Sequence, residues 1–353
     1  MPALPAPERD HEFFGVDRRK VILTAVLALV LLAVAVFLIG ELASFGKMLR
    51  ALKRADKPWF AVCLGGELLA YAGYIAAYRD FARVDGGPKL PLWTVTRVVA
   101  VGFGAFVAGS SAGTLGVDYW ALQRAGDKPH RAARRVLALN TLEWAVLAVA
   151  AMLAGAALLV SGDGAPIEME LAWLIVVPVC IALAMLVTAP SRVDRFTTVP
   201  DRTMHRAVRW LRLALADAIG GVVMVRHVVA HPRRYPFAVL GFPVYWAGDI
   251  LALWAALRAF DGRIGLGPLV LGYTTAYVVT SLPLPAGGAG GVEAGLTFSL
   301  QAVGVALAPA LLATLVYRFF TLWLPIGLAA LAVTQVKVLA QELPHVEHEP
   351  APG

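Results

Sequence analysis

The architecture follows from one interrupted apolar stretch, whose middle reads Pro283-Leu284-Pro285-Ala286-Gly287-Gly288-Ala289-Gly290-Gly291. Apolar residues flank this run on both sides, across residues 266–304. Glycine and proline interrupt a helix and free backbone N–H and C=O groups. At membrane depth these groups must be buried in protein or line a wet cavity. The stretch therefore predicts a re-entrant helical hairpin, and the alternative is two ordinary spans joined by a tight loop.

A second stretch, residues 94–126, has the same form. Its middle carries the small residues Gly109-Ser110-Ser111-Ala112-Gly113-Thr114-Leu115-Gly116. The same argument about freed backbone groups predicts a second re-entrant hairpin, again with two ordinary spans as the alternative.

The composition is that of a membrane protein, with 59% hydrophobic and 16% charged residues over 353 positions. Long uncharged runs exclude a soluble enzyme, a disordered chain and a fibrous one. A bilayer core of about 30 Å needs about 20 apolar residues per helix. Full spans are predicted at residues 21–40, 59–78, 136–160, 171–189, 236–257 and 308–335. We therefore expect an all-α polytopic membrane protein with about six full spans plus two re-entrant hairpins.

The net charge of +7 does not indicate a nucleic-acid partner, because the positive residues cluster between apolar runs as the positive-inside rule expects. The two cysteines, Cys63 and Cys180, lie inside apolar runs, so neither a disulfide framework nor a cysteine metal site is expected. The sequence carries no pattern for a bound metal, a cofactor or catalytic residues.

Loop charges predict the topology in the plasma (inner) membrane. Residues 161–170 carry acids and no base and should lie outside, whereas residues 190–235 carry nine arginines and should be cytoplasmic. If the first hairpin enters and leaves from the cytoplasm, both termini are cytoplasmic. The basic loop 41–57 then lies outside, against the rule. If residues 94–112 cross fully instead, the N-terminus moves outside and that loop moves in.

The arginine-rich segment 190–235 has apolar residues at helical spacing, which predicts an amphipathic helix on the cytoplasmic leaflet. Gly220-Gly221 is expected to break this helix into two pieces. The alternative is a helix packed beneath the bundle.

An internal repeat is indicated by a common spacing. Asp118 and Glu143 are 25 residues apart, and so are Glu293 and Arg318. We expect a cytoplasmic tail at residues 1–20, membrane repeats at 21–160 and 161–335, and a C-terminal tail at 336–353. An odd number of crossings between the halves makes them an inverted repeat, which in transporters places the site near the bilayer midplane.

Glu143 and Arg318 each stand alone in an apolar helix, where an ionised group costs about 2.5–3.5 kcal/mol or more. Glu143 with Arg318 is the economical pairing, as a structural salt bridge; the alternative is that Arg318 meets a phosphate while Glu143 or Glu293 orients it or responds to its arrival. Asp118 and Glu293 follow glycines at expected helix starts, so helix capping is an alternative explanation for both. Asp249 and Glu67 rank lower, because the sequence offers them no partner.

The stretch from Leu282 to Ala294, with Tyr317-Arg318 and Trp323-Leu324-Pro325, resembles the C-terminal signature of the lysylphosphatidylglycerol synthase transmembrane-domain family. That family includes the flippase half of multiple peptide resistance factor proteins. The resemblance covers roughly residues 20–335 in span order. In the first half Asp118 and Glu143 match the family's acids, whereas Trp144 stands where an arginine is usual.

The resemblance implies a lipid flippase that moves a phospholipid or isoprenoid-linked headgroup between leaflets. It implies a substrate path formed by three acids, one arginine and a glycine run, namely Asp118, Glu143, Gly287, Gly288, Gly290, Gly291, Glu293 and Arg318. The expected partners are lipids with anionic headgroups, supplied by a separate lipid-modifying enzyme rather than made by this chain. The alternative is a non-transporting scaffold or regulator that docks a lipid- or envelope-synthesis enzyme through residues 190–235.

Overall fold

The computed structural model describes residues 50, 53–109, 111–162, 165–197, 205–281, 290–325 and 335–348. Within these ranges every regular element is a helix. The α-helices are α1 (Pro58–Ala82), α2 (Leu92–Gly109), α3 (Ser111–Arg124), α4 (Pro129–Ser161), α5 (Ile167–Val187), α6 (Pro190–Thr197), α7 (Arg206–Ala230), α8 (Pro236–Ala259), α9 (Leu266–Tyr277), α10 (Gly291–Ala302), α11 (Leu307–Arg318) and α12 (Gln335–Glu342).

Helices α1, α4, α5 and α8 and the part of α7 from Val208 to Ala230 are long and apolar enough to cross a membrane. The chain is a multi-pass membrane protein. The spans predicted at 59–78, 136–160, 171–189 and 236–257 are confirmed as helices. The span predicted at 21–40 lies outside the described residues. Of the span predicted at 308–335, the structure describes residues 308–325. They include most of α11 and the π-helical turn Phe319–Trp323 that follows it.

Helices α1 and α8 form the centre of the bundle and touch through backbone. A Cβ atom at Gly66 would lie 2.6 Å from the Gly248 carbonyl oxygen, and one at Gly73 would lie 2.5 Å from the Gly241 oxygen. The early residue of α1 meets the late residue of α8, so the two helices run antiparallel. Small residues let helix backbones approach in this way in membranes, where apolar burial alone does not favour association.

One end of the bundle, the basic end, collects the arginines that surround the start of α4. There Arg135 pairs with Asp127 and donates to the Val84 carbonyl just after α1. Asp80, near the end of α1, accepts hydrogen bonds of 2.8 and 3.0 Å from the first backbone N–H groups of α8. The end of α1 and the starts of α4 and α8 therefore lie at the basic end.

Helices α2 and α3 form the first predicted hairpin, which opens at the basic end. Thr114 Oγ1 donates a 3.1 Å hydrogen bond to the Gly102 carbonyl, which requires the chain to reverse between the two helices. The 18 and 14 residues of these helices extend about 27 and 21 Å at about 1.5 Å per residue, short of a bilayer core. Ser111–Arg124 is a returning helix, so the reversal of the chain is confirmed, and a re-entrant pair and two full spans joined by a tight loop stay the two alternatives.

Helices α9 and α10 pair in the same way, at the opposite end of the bundle. Ser299 Oγ donates to the Gly272 carbonyl at 2.6 Å. Near this end Trp173, in the first turns of α5, donates a 3.0 Å hydrogen bond to Thr275. Each helix has 12 residues, too few to cross a bilayer core. The proline and glycine run at residues 282–289 lies outside the described residues.

Helix α7 differs from the prediction, because Gly220-Gly221 does not break it. Both glycines face α4, where a Cβ at Gly220 would lie 2.7 Å from the Arg134 side chain and one at Gly221 3.1 Å from the Ala138 nitrogen. Their role is therefore close approach, which matches the alternative of a helix packed beneath the bundle.

Helix α7 lies across the basic end, although its length and composition would suit a span. Asp217 accepts from Arg134 at 3.2 Å, and ten residues later His227 lies 4.0 Å from Asp85 at the same end. The antiparallel pairing of α1 and α8 also requires that α7 stays at the basic end and does not cross the membrane. Helices α4 and α5 cross between them, so a further crossing by α7 would make α1 and α8 parallel.

Candidate functional site

The centre of the site is an ion pair between two buried side chains. Arg318 Nε donates a 3.0 Å hydrogen bond to Glu293 Oε1, and the two residues are 5% and 0% exposed. The second carboxylate oxygen of Glu293 accepts the Gly290 N–H at 2.6 Å. Two of the predicted site residues are therefore in direct contact, in the interior of the bundle.

The local backbone positions both members of this pair. Glu293 lies in the first turn of α10, and Gly290 precedes that helix with φ of +82°, a conformation that favours glycine. Helix capping, one explanation raised for Glu293, is thus present and is combined with the ion pair. Arg318 is the last α-helical residue before the π-helical turn Phe319–Trp323. Such turns are frequent at functional sites.

The guanidinium of Arg318 retains donor capacity. Its Nη2 atom is buried and has no hydrogen-bond partner within the described part of the chain. A guanidinium has five N–H donors in a planar fork that matches a phosphate or a carboxylate. The ion pair with Glu293 therefore orients the arginine and leaves part of the fork for a ligand.

The predicted pairing of Arg318 with Glu143 is wrong. Arg318 instead donates to Glu293 at 3.0 Å. Glu293 lies three residues after Gly290, the glycine that precedes α10. Glu143 is half-buried on α4, and its backbone carbonyl accepts the Trp246 indole N–H at 2.8 Å. Its carboxylate interacts electrostatically with Asp118 and Asp249. Glu143 therefore belongs to the interior cluster, but as part of a group of acids.

Asp118 is fully buried beside two tyrosines. Tyr74 donates to its Oδ2 atom at 3.4 Å, and Tyr78 donates to its backbone carbonyl at 3.3 Å. The Oδ1 atom has no partner among the residues described. Asp118 lies in the middle of α3, so capping does not explain it.

Asp249 has partners that the sequence did not indicate. Tyr273 and Tyr317 both donate to its Oδ2 atom, the second at 3.0 Å. Glu67 on α1 interacts electrostatically with Asp249 and with Arg318. The expectation that Asp249 has no partner is wrong, because Tyr273 and Tyr317 reach it from helices far away along the chain. The sequence contained one sign of such a partner, because Tyr317, which donates to Asp249, directly precedes the charged Arg318.

An apolar cavity of about 700 Å³ borders this polar cluster. It is lined by residues of α1, α4, α8 and α9, among them Leu69, Val146, Trp246 and Leu269. The Trp246 ring lies between the cavity and the tyrosines, with its centroid 5.1 Å from that of Tyr277. An apolar site and a charged site are therefore adjacent, separated by one aromatic side chain.

The predicted site residues are brought together to different degrees. Glu293, Arg318 and Gly290 are in contact, and Gly291 begins α10 beside them. Asp118 and Glu143 interact with each other. Gly287 and Gly288 lie outside the described residues. In the described ranges no group of three or more His, Cys, Asp or Glu side chains is arranged to hold a metal ion.

The model of the family described as Lysylphosphatidylglycerol synthase TM region matches residues 25–329. This range contains all the charged residues of the site. No curated protein matches the chain.

Proposed function

Because the chain belongs to the lysylphosphatidylglycerol synthase TM region family, we propose that it is a lipid translocase that moves a phospholipid or isoprenoid-linked headgroup between leaflets. The family description names a lipid synthase, which supports a lipid-related role in the membrane. The observation that carries the proposal is Arg318, which is buried in the bundle, oriented by Glu293 and left with an unpartnered Nη2 in the described structure.

Arg318 supplies what a lipid headgroup lacks in hydrocarbon. An ionised phosphate loses its hydration there, at a cost that opposes crossing. A guanidinium binds phosphate through parallel charge-assisted hydrogen bonds, which replace part of that hydration. The N-terminus of α10, at Gly291, adds partial positive charge close to the same place.

The apolar cavity provides for the other part of the molecule. Its lining is aliphatic and aromatic, and Trp246 and Ile250 connect it to the region of Asp249 and Tyr277. In the proposed mechanism an acyl or isoprenoid chain rests against this lining while the headgroup reaches Arg318. The polar and apolar parts of one lipid then meet matching surfaces at the same time.

We further propose that the two halves form an inverted repeat. A shift of 175 residues relates Gly66 to Gly241, Gly73 to Gly248, Gly116 to Gly291, Asp118 to Glu293, and Glu143 to Arg318. The same shift relates α1–α4 to α8–α11 in order, while their hairpins open at opposite ends of the bundle. Inverted repeats of this kind alternate access to a site between them.

The location proposed is the plasma (inner) membrane, with the basic end and both termini in the cytoplasm. Loop 41–57 remains the exception to the charge rule, because Asp56 N–H bonds to the Ala259 carbonyl at the end opposite the basic one. The proposed cargo is a lipid with an anionic headgroup that another enzyme makes. The chain itself is proposed to carry out no covalent step.

The proposal is tested with purified protein in vesicles that contain fluorescent phosphatidylglycerol, read by a membrane-impermeant reductant. Wild-type protein is expected to expose the inner-leaflet label within the assay time, and Arg318→Ala to lose this activity. The matched control is Arg97→Ala, which removes an arginine paired with Glu342 at 2.7 Å at the basic end. Lipid movement that survives in Arg318→Ala, or that Arg97→Ala abolishes equally, contradicts the role given to Arg318.

The scaffold alternative is favoured by one surface, the exposed first half of α7. Four apolar residues are exposed there beside the exposed Arg209 and Arg212, namely Val208, Trp210, Leu211 and Leu215. In the translocase proposal this surface lies in the headgroup layer, as in interfacial amphipathic helices. In the scaffold alternative it binds a lipid- or envelope-synthesis enzyme.

Quenching of Trp210 by brominated lipids separates these two uses of α7. Subtracting the emission of Trp210→Phe isolates the contribution of Trp210. We expect brominated lipid to quench it in anionic vesicles, and the double variant R209E/R212E to be quenched less, since each basic residue contributes about 1 kcal/mol near such a surface. An unquenched Trp210 in the wild type contradicts the interfacial placement and favours a protein partner.

A further inference from the structure

Two buried acids lie beside one of the two close backbone contacts between α1 and α8. Gly66 packs on Gly248, and the next residue on each helix is an acid, Glu67 and Asp249. They are 6% and 4% exposed. Each acid is buried one residue from this backbone contact, which places both carboxyl groups in one region of the bundle core, where they interact electrostatically.

Hydrogen bonds reach only one of the two carboxylate oxygens of Asp249. Tyr273 and Tyr317 both donate to Oδ2, whereas Oδ1 is buried without a partner in the portion of the chain that is described. Two hydroxyl donors on one oxygen suit a carboxylate, and an unsatisfied buried oxygen carries a desolvation cost. The oxygen without a partner therefore belongs to Asp249, the acid with which Glu67 interacts electrostatically.

Arg318 does not neutralise both of these acids. Its direct hydrogen bond goes to Glu293, whose negative charge already balances the positive charge of the guanidinium. Glu67 and Asp249 would then add two negative charges to a low-dielectric interior, where each ionised group costs about 2.5–3.5 kcal/mol or more. Two like charges in one such site do not both ionise readily, which favours protonation of one of the two carboxyl groups.

We infer that Glu67 and Asp249 form a proton-binding site and that lipid movement in this protein is coupled to proton movement. This inference rests on the proposed translocase function. In the empty protein one proton resides on the pair, as O–H on one carboxyl group, while the other remains ionised. A second proton binds the remaining carboxylate when a headgroup arrives and passes to water on the side to which the site is open when the headgroup leaves, and no other group changes its bonding.

Arrival of a phosphate at Arg318 links the two events. The anionic headgroup makes the region more negative and so favours protonation of the remaining carboxylate. By thermodynamic linkage, proton binding favours the headgroup by the same factor. An anionic headgroup and a proton are thus carried in the same direction, with less net charge moved through the bilayer than by the headgroup alone.

Other titratable groups surround the pair on every packed element. They are Cys63 and Tyr71 on α1, Glu143 on α4, Tyr245 on α8, Tyr273 and Tyr277 on α9, Glu293 on α10, and Tyr317 and Arg318 on α11. The test must therefore separate the pair from Glu143 and Glu293, which are acids of the same interior.

The first experiment detects the proton directly. Infrared difference spectra of the purified full chain are recorded between acidic and basic pH, and the carbonyl band of a protonated carboxyl group is followed. We expect this band to be lost in Glu67→Gln and in Asp249→Asn, either of which suffices if the other does not fold. Glu143→Gln, which changes an acid of the same interior, and Glu170→Gln, which changes a buried acid on α5, are the controls and should keep it. A band that persists in both site variants overturns the inference.

The second experiment imposes a pH gradient on the vesicle assay. One proton per lipid predicts a rate or accumulation change of up to about tenfold per pH unit, in the direction of the gradient. Glu67→Gln should remove the gradient dependence. If wild-type protein moves lipid without regard to the gradient, or responds to Na⁺ instead, the coupling is wrong while the translocase stands. If no lipid moves but the infrared band behaves as expected, the proposed function fails and the proton site stands.

Discussion

Replacing Gly66 or Gly248 by leucine is expected to prevent recovery of folded protein from detergent extracts. A single Cβ at either position already falls within 2.6 Å of backbone atoms of the opposite helix. Backbone cannot move aside as a flexible side chain can, so α1 and α8 must separate. We expect a loss of about 3 kcal/mol or more, at the upper end of overpacking effects.

The neighbouring residue provides the control for this prediction. Gly65 has open space where a Cβ would be added, with no heavy atom within 4 Å. Gly65→Leu makes the same chemical change one position away in the same helix and should leave thermal stability nearly unchanged. The measurement is the melting temperature by fluorescence-detected size-exclusion chromatography. Equal melting temperatures for Gly65→Leu and Gly66→Leu contradict the central backbone contact.

Replacing Glu293 by alanine is expected to destabilise the protein by about 3–5 kcal/mol, because it leaves Arg318 buried without its ion-pair partner. The same change releases the Gly290 N–H, which the carboxylate now accepts at 2.6 Å. Both losses occur in the interior, where water does not replace the missing partner. The melting temperature in detergent measures the effect.

A double variant separates stability from function at this pair. Glu293→Gln with Arg318→Met removes both charges together, so no unpaired charge remains. We expect this protein to regain most of the stability lost in Glu293→Ala and to move no lipid. Lipid movement in the double variant contradicts the proposed binding of phosphate by Arg318. Wild-type stability of Glu293→Ala contradicts the buried ion pair.

Several features were predictable from local sequence. The apolar runs predicted α1, α4, α5 and α8, because about 20 consecutive apolar residues form a helix long enough to cross the hydrocarbon core of a bilayer. The small residues near Ser111 predicted the reversal between α2 and α3. In each case the property depends on residues close together in the chain, which a pattern of one segment contains.

Other features depended on contacts between distant segments. Glu143 and Glu293 were equally available partners for Arg318 by charge, and the start of α10 brought Glu293 within 3.0 Å. Gly220-Gly221 was interpreted as a helix break because glycine weakens helices. Packing against α4 instead keeps α7 continuous there, and the absent side chains make that packing possible.

The amino-acid order alone was therefore sufficient for the membrane class, the family resemblance and the positions of four spans and the first reversal, because hydrophobic length and chain-breaking residues act locally. Packing in three dimensions selected the partner of Arg318, gave Asp249 its tyrosines and laid α7 across the basic end. Each of these depends on which helix faces which at close range. That is a property of the assembled bundle, where one ångström of backbone approach or one shared hydrogen bond favours one arrangement over another.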